Sequence, residues 1–120
     1  MKLRALRGAT TCAVDTSDEI DAKTQALVTA MLERNGIDHD DVVSILFTAT
    51  DDLHSQFPAT AARGLGLGDV PLICARELEI VGGMPRTIRI LMHLYTERSR
   101  AELHHVYLEG ATTLRDDLPE

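Results

Sequence analysis

Between Thr87 and Tyr95 every even position is apolar, Ile88, Ile90, Met92 and Leu94, while the odd positions mix Thr87, Arg89, Leu91, His93 and Tyr95. A period of two belongs to a strand with one packed face and one mixed face. A helix also fits, because Ile88, Leu91, Met92 and Tyr95 follow i, i+3, i+4, i+7 and Pro85 suits a first helical turn. The β-branched residues and the Gly82-Gly83 break favour the strand. Arg89 then points away from the packed face; taken alone, it reads as a solvated charge. A second apolar run, Val70 to Ala75, lies upstream with Glu77 close behind it.

Lys2 to Thr11 alternates Leu3, Ala5 and Arg7 against Arg4, Leu6 and Gly8, which predicts a first strand with Arg7 at its polar end. Thr16 or Ser17 can cap a helix with Asp18 and Glu19 in its first turn. Ile20, Ala26, Leu27, Ala30, Met31 and Leu32 form its apolar face, and Asn35-Gly36 ends it. Asp41 to Thr48 is nearly continuous in apolar character, as a buried strand would be. Ala49 to His54 is a polar loop, and Phe57 to Arg63 a short helix. The glycine-spaced run Gly64 to Gly68 lacks the Lys-Ser/Thr of a phosphate loop and follows a helix where such a loop would precede one. A helical turn is expected through Arg100 to Leu103, a strand from His105 to Glu109, and a mobile polar tail over 112–120. The order predicts one α+β domain over 1–120, a mixed β-sheet packed on helices by one face. The other face, carrying Arg89, is then a candidate subunit interface.

Aromatic content is 3% with no Trp, so the core rests on aliphatic residues and Met, and assembly with other copies would reinforce it. The net charge of -7, from 12 basic and 19 acidic side chains, argues against nucleic acid as a partner. An anionic ligand must be met by a local group of arginines, for which Arg7, Arg63, Arg89 and Arg115 are candidates. Cys12 and Cys74 form no CxxC pair and the five histidines show no ligand spacing, so no metal site is expected. No run reaches the length of a membrane span, and a soluble cytoplasmic protein is expected. No nucleophilic triad can be assigned from spacing.

Several motifs occur together in one order: R-x-x-R-G-A-T-T (Arg4 to Thr11), T-x-D-L-H-x-x-F-P-A (Thr50 to Ala59), C-x-x-E-x-x-x-x-G-G (Cys74 to Gly83), Ile88-Arg89, H-V-Y-L-E (His105 to Glu109) and Leu114-Arg115. In these motifs the chain resembles the AroH-type monofunctional chorismate mutases over nearly its whole length. The resemblance implies a trimeric pseudo α/β-barrel with active sites between subunits. It implies an isomerase that rearranges chorismate to prephenate on the route to phenylalanine and tyrosine, with no cofactor.

Carried over residue by residue, the resemblance makes Arg89, Glu77 and Arg7 catalytic. Arg89 would face the ether oxygen, Arg7 a substrate carboxylate, and Glu77 the ring hydroxyl. The backbone around Cys74, from Ile73 through Ala75 and Arg76, would share that hydroxyl with Glu77, and Tyr107 would meet a carboxylate. Phe57 and Arg63 would line the pocket, and Leu114 and Arg115 would close over it. Thr60 stands where some relatives carry lysine, and the Gly64 to Gly68 segment is a residue shorter than in relatives. The rival readings are a non-catalytic trimeric module that binds small carboxylates, and an enzyme of similar architecture acting on imines or other small metabolites.

Overall fold

The structure, a computed structural model, describes residues 1–114. Five strands and two helices follow in the order β1 (Lys2–Thr11), α1 (Ser17–Asn35), β2 (Val42–Ala49), α2 (Pro58–Gly64), β3 (Leu72–Arg76), β4 (Thr87–Thr96) and β5 (Val106–Tyr107). The strands form one mixed sheet in the order β3-β2-β4-β1-β5. Antiparallel pairing joins β2 to β4 and β4 to β1, while β2–β3 and β1–β5 are parallel. Among the described residues no helix is long and apolar enough to cross a membrane.

The two-residue alternation in β4 is a strand. Ile88, Ile90, Met92 and Leu94 are buried, and Arg89 lies on the opposite, open face. Both helices cover the inner face. Thr16 caps α1 by accepting from the Glu19 N–H, and Gly36 closes it with φ 59, the left-handed conformation that glycine adopts without a steric penalty. The buried stripe of α1 is Ile20, Thr24, Leu27, Val28, Met31, Leu32 and Asn35; Ala26, expected there, is exposed. Asn35 is held in the core because its side chain donates to the carbonyls of Met31 and His104 and accepts from the His104 N–H. In α2, Pro58 at the start has no N–H to leave unsatisfied, and Pro58, Ala59, Ala61 and Ala62 pack inward.

Three expectations need correction. β2 is not buried on both faces: Ile45 and Phe47 point into the core, Val43 is exposed, and a register shift falls between Val42 and Ser44. A continuous apolar run does not by itself distinguish two-sided from one-sided burial. Arg7 does not sit at a polar strand end; it is half-buried within β1, which continues to Thr11. The last strand is Val106–Tyr107 alone. On one side the His105 ring accepts the Arg7 N–H at 3.0 Å, and on the other Glu109 turns to φ 53. A short 3-10 segment, Glu109–Thr113, reaches into the first residues of the expected tail, of which 115–120 lie outside the described residues, while the turn expected at Arg100 is present as the 3-10 segment Arg100–Glu102.

Gly8 sets how closely α1 approaches the sheet. A Cβ there would lie 2.5 Å from Met31 Sδ and 3.1 Å from Leu27 Cδ1, and both of those residues are fully buried. Overpacking of this kind costs about 1–3 kcal/mol. Gly8→Ala is therefore expected to lower unfolding free energy by about that amount in urea titrations with an unchanged m-value.

Candidate active site

Strand alternation puts one set of side chains on the open face. In β4 these are Thr87, Arg89, Leu91, His93 and Tyr95; in β1, Arg7 and Ala9 lie opposite Leu91 and Arg89. Arg7 and Arg89 are thus diagonal neighbours on one face, roughly 7–8 Å apart. On the other side of β4, Thr48 of β2 lies opposite Arg89, and Ala75 of β3 lies opposite Thr48. Glu77 follows directly on β3, and its N–H donates to the Ala49 carbonyl at 3.0 Å. That bond carries Glu77 past the strand end with its side chain over the open face.

There Glu77 Oε2 lies 3.3 Å from Arg89 Nε. The same oxygen accepts from the Thr48 hydroxyl at 2.7 Å, and Oε1 accepts from the Leu78 N–H at 3.1 Å. The Thr48 hydrogen bond is the largest influence on the Glu77 carboxyl; burial opposes it, and the Leu78 N–H and the charge of Arg89 add to it, leaving the group below the usual glutamate range. An ionised carboxylate has about four lone-pair positions. Three directions are taken here, and one on Oε1 stays open. Arg89 is paired through Nε, and it lines a cleft of about 400 Å³ with Glu77, Asp52 and Met84.

The loops around this cleft explain two of the sequence motifs. Thr50 and Asp52 hold the return loop: Asp52 accepts the Arg86 N–H, and Thr50 Oγ1 accepts the Thr87 N–H. Arg86, at φ 46, donates from Nε to the Cys12 carbonyl at 3.0 Å. Leu53 packs with Cys12, Ile20 and Ile88, and His54 and Ser55 donate backbone N–H groups to Asp15. Burial, then the charge of Glu19, pushes the Cys12 thiol up to about 11, so at neutral pH it is protonated and unreactive.

One chain brings only part of the expected set together. Arg89 and Glu77 share a cleft. Arg7 lines a neighbouring groove of about 500 Å³ with Arg4, His93, Arg100 and His105. Tyr107, opposite Ala9 on the same face, is buried among Ala9, Ala111, Met84 and Leu114. Phe57, Cys74, Ala75 and Arg76 line a third cleft of about 450 Å³. The Cys74 side chain is half-buried against the main core, and Arg76 pairs with Asp51. Ile73 lies exposed on the edge strand β3. Arg63, on the exposed side of α2, lines none of these clefts, and Thr60 is half-buried on the same helix. Arg115 lies outside the described residues. Spacing could not reveal two further features: the Thr48 hydroxyl on Glu77, and the 3.3 Å contact between Ser44 Oγ and His93 Nδ1 beside the Arg7 groove. In the structure Ser44, Leu46 and Thr48 lie opposite His93, Leu91 and Arg89 of β4.

A guanidinium tied to a carboxylate, with a second guanidinium on the same sheet face, gives this α+β chain fixed positive charge on the side of the sheet that its helices leave open. The family model for chorismate mutase type I matches residues 3–118. The curated chorismate mutase AroH of Bacillus subtilis is 43% identical over 119 residues, covering 98% of this chain and 94% of that protein. The AroH protein of Thermus thermophilus is 44% identical over 117 residues, covering 97% and 96% respectively. A solved chorismate mutase from Clostridium thermocellum superposes with a TM-score of 0.89 at 45% identity, covering 91% of this chain and 97% of that one. The chain belongs to the chorismate mutase type I family.

Because its folded pKa is depressed, Glu77 contributes stability that is present above its unfolded pKa and lost as pH falls through the folded value. Carbon-detected NMR titration is expected to place the Glu77 midpoint below the ordinary glutamate value. A midpoint above it would mean that Thr48, Leu78 and Arg89 do not hold the carboxylate.

Proposed function

We propose that this chain is a chorismate mutase, converting chorismate to prephenate in a site completed between copies of a homotrimer. The observation that carries the reading is the Arg89–Glu77 pair on the open face, 3.3 Å apart, with Arg7 on the same face. The rearrangement is concerted: the ether bond breaks as a carbon–carbon bond forms, with no nucleophile and no obligatory proton transfer. It requires that the enolpyruvyl arm be held over the ring and that negative charge growing on the ether oxygen be met by a fixed cation.

Arg89 meets the second requirement. Its charge is permanent, its planar donors are aimed by a rigid strand, and Glu77 sets its rotation. Glu77 offers the open Oε1 position to the ring hydroxyl. Arg7 takes one substrate carboxylate, Tyr107 serves the other, and the exposed backbone of Ile73 to Arg76 walls the ring. An acceleration at the low end of enzyme rates requires about 8 kcal/mol of barrier lowering. One preorganised donor supplies about 3–4 kcal/mol of that, which makes Arg89 the largest single contributor without being sufficient alone.

Phe57 directly precedes α2 and Arg63 lies on it; α2 packs with α1 on the inner face, so in the proposed assembly both residues reach the substrate from an adjoining copy. Surface chemistry supports an assembly. β3 is a sheet edge, and Phe57, Ile73, Leu78 and Ile80 are 70%, 62%, 78% and 66% exposed. Apolar surface along an open edge is what a partner chain covers. Leu114 and Arg115 are assigned to closing the pocket, and the cytoplasm is the proposed setting.

Purified protein is expected to consume chorismate with prephenate as product, and Arg89→Ala to cut kcat by more than about a hundredfold. Near-normal turnover in that variant would remove Arg89 from the mechanism, and tight chorismate binding without turnover would leave a binding module. With no general acid or base involved, kcat should be nearly flat from roughly pH 6 to 9. Sedimentation should give a trimer; a fully active monomer would contradict the shared site.

A further inference from the structure

Arg89 is oriented by Glu77, and the group that holds Glu77 most closely is a neutral hydroxyl. Thr48 is the one residue that touches both neighbouring strands at this point, opposite Arg89 of β4 and opposite Ala75 of β3. Its Oγ1 donates to Glu77 Oε2 at 2.7 Å, and that same oxygen stands 3.3 Å from Arg89 Nε. A β-branched side chain on a strand has few rotamers, so the direction of this bond is set by the backbone of β2.

Without the hydroxyl, a carboxylate beside a guanidinium tends toward the two-pronged arrangement, in which both oxygens take N–H groups from the fork. Glu77 would then occupy the terminal nitrogens of Arg89 and turn Oε1 away from the open cleft. We propose that Thr48 is a positioning residue for the rearrangement: by occupying Oε2 it restricts Glu77 to Arg89 Nε, leaving the terminal guanidinium nitrogens and one Oε1 lone pair to the substrate. This rests on reading the cleft as the chorismate site.

Other charges around Glu77 do not replace this function. Asp51, Asp52 and Glu79 line the same cleft, but Asp51 is paired with Arg76, and Asp52 accepts the Arg86 N–H and the Thr50 hydroxyl. The Thr48 bond is also the foremost cause of the lowered Glu77 pKa, which supplies a readout that packing alone would not move.

The test compares wild type, Thr48→Val and Thr48→Ser for chorismate turnover across pH. Thr48→Val keeps the shape and removes the donor. It is expected to lower kcat by about tenfold, the scale of one hydrogen bond to a charged group, with a smaller change in KM. The acid limb of kcat/KM should move to higher pH, because Glu77 loses the bond that favours its ionised form. Thr48→Ser should restore both. If Thr48→Val does not fold, Thr48→Ala removes the same donor without adding volume. Unchanged kcat and an unmoved acid limb would overturn the proposal, as would a loss that Thr48→Ser fails to rescue, since that would mark a packing role. Absence of turnover in wild type would instead overturn the reading of the cleft.

Discussion

An arginine carried on a central strand can act as a fixed charge only if the other face of that strand is dry and immobile. β4 meets this condition along its length: Ile88, Ile90, Met92 and Leu94 are each buried at 3% or less, with paired strands on both sides. Register does the rest. A slip of one residue would bring Arg89 into the core and Ile88 or Ile90 into water, so the position of the guanidinium is enforced by apolar residues that never meet a ligand. The close approach of α1 at Gly8, its cap at Thr16 and the buried Asn35 all hold the helix that keeps that inner face sealed.

The electrostatics operate at short range for the same reason. The chain carries a net charge of -7, which at a distance repels an anion. With screening over about 8 Å at physiological salt, the field just above the open face is set instead by the nearby charges, Arg7 and Arg89 among them. Pairing Arg89 with Glu77 subtracts from the local positive potential. In exchange it fixes the orientation of a side chain that would otherwise sweep several rotamers, and for a transition state, direction of charge matters as much as amount.

Periodicity revealed the strand nature of β4, the ends of α1 and the side on which Arg89 lies, because each depends on neighbours within a few residues. Sheet order does not. Glu77 meets Arg89 because β2 lies between β3 and β4 and the backbone bond from Glu77 to Ala49 lifts the side chain past the strand end. Thr48 is an unremarkable strand residue until that order is known. β5 is shorter than its alternation suggests because the imidazole of His105 takes the N–H of Arg7, and no local pattern announces a side chain substituting for a strand. The motif residues Thr50, Asp52 and Leu53 were legible as a group, yet their work is structural: they hold the return loop that delivers Thr87 to β4.

The order of strands also has a consequence in time. β1 is paired with β4, from Thr87, and with β5, at Val106 and Tyr107, and with no strand between. As the chain emerges from a ribosome, its earliest strand must therefore wait for some of the latest residues before its hydrogen bonds can close. Loops that long make pairing slow compared with local helix formation. Until then α1 can form but has no completed sheet to cover its apolar stripe, which leaves that stripe exposed to wrong partners. The topology that puts Arg89 in the middle of the sheet thus ties closure of the β1 side of that sheet to the arrival of β4 and β5.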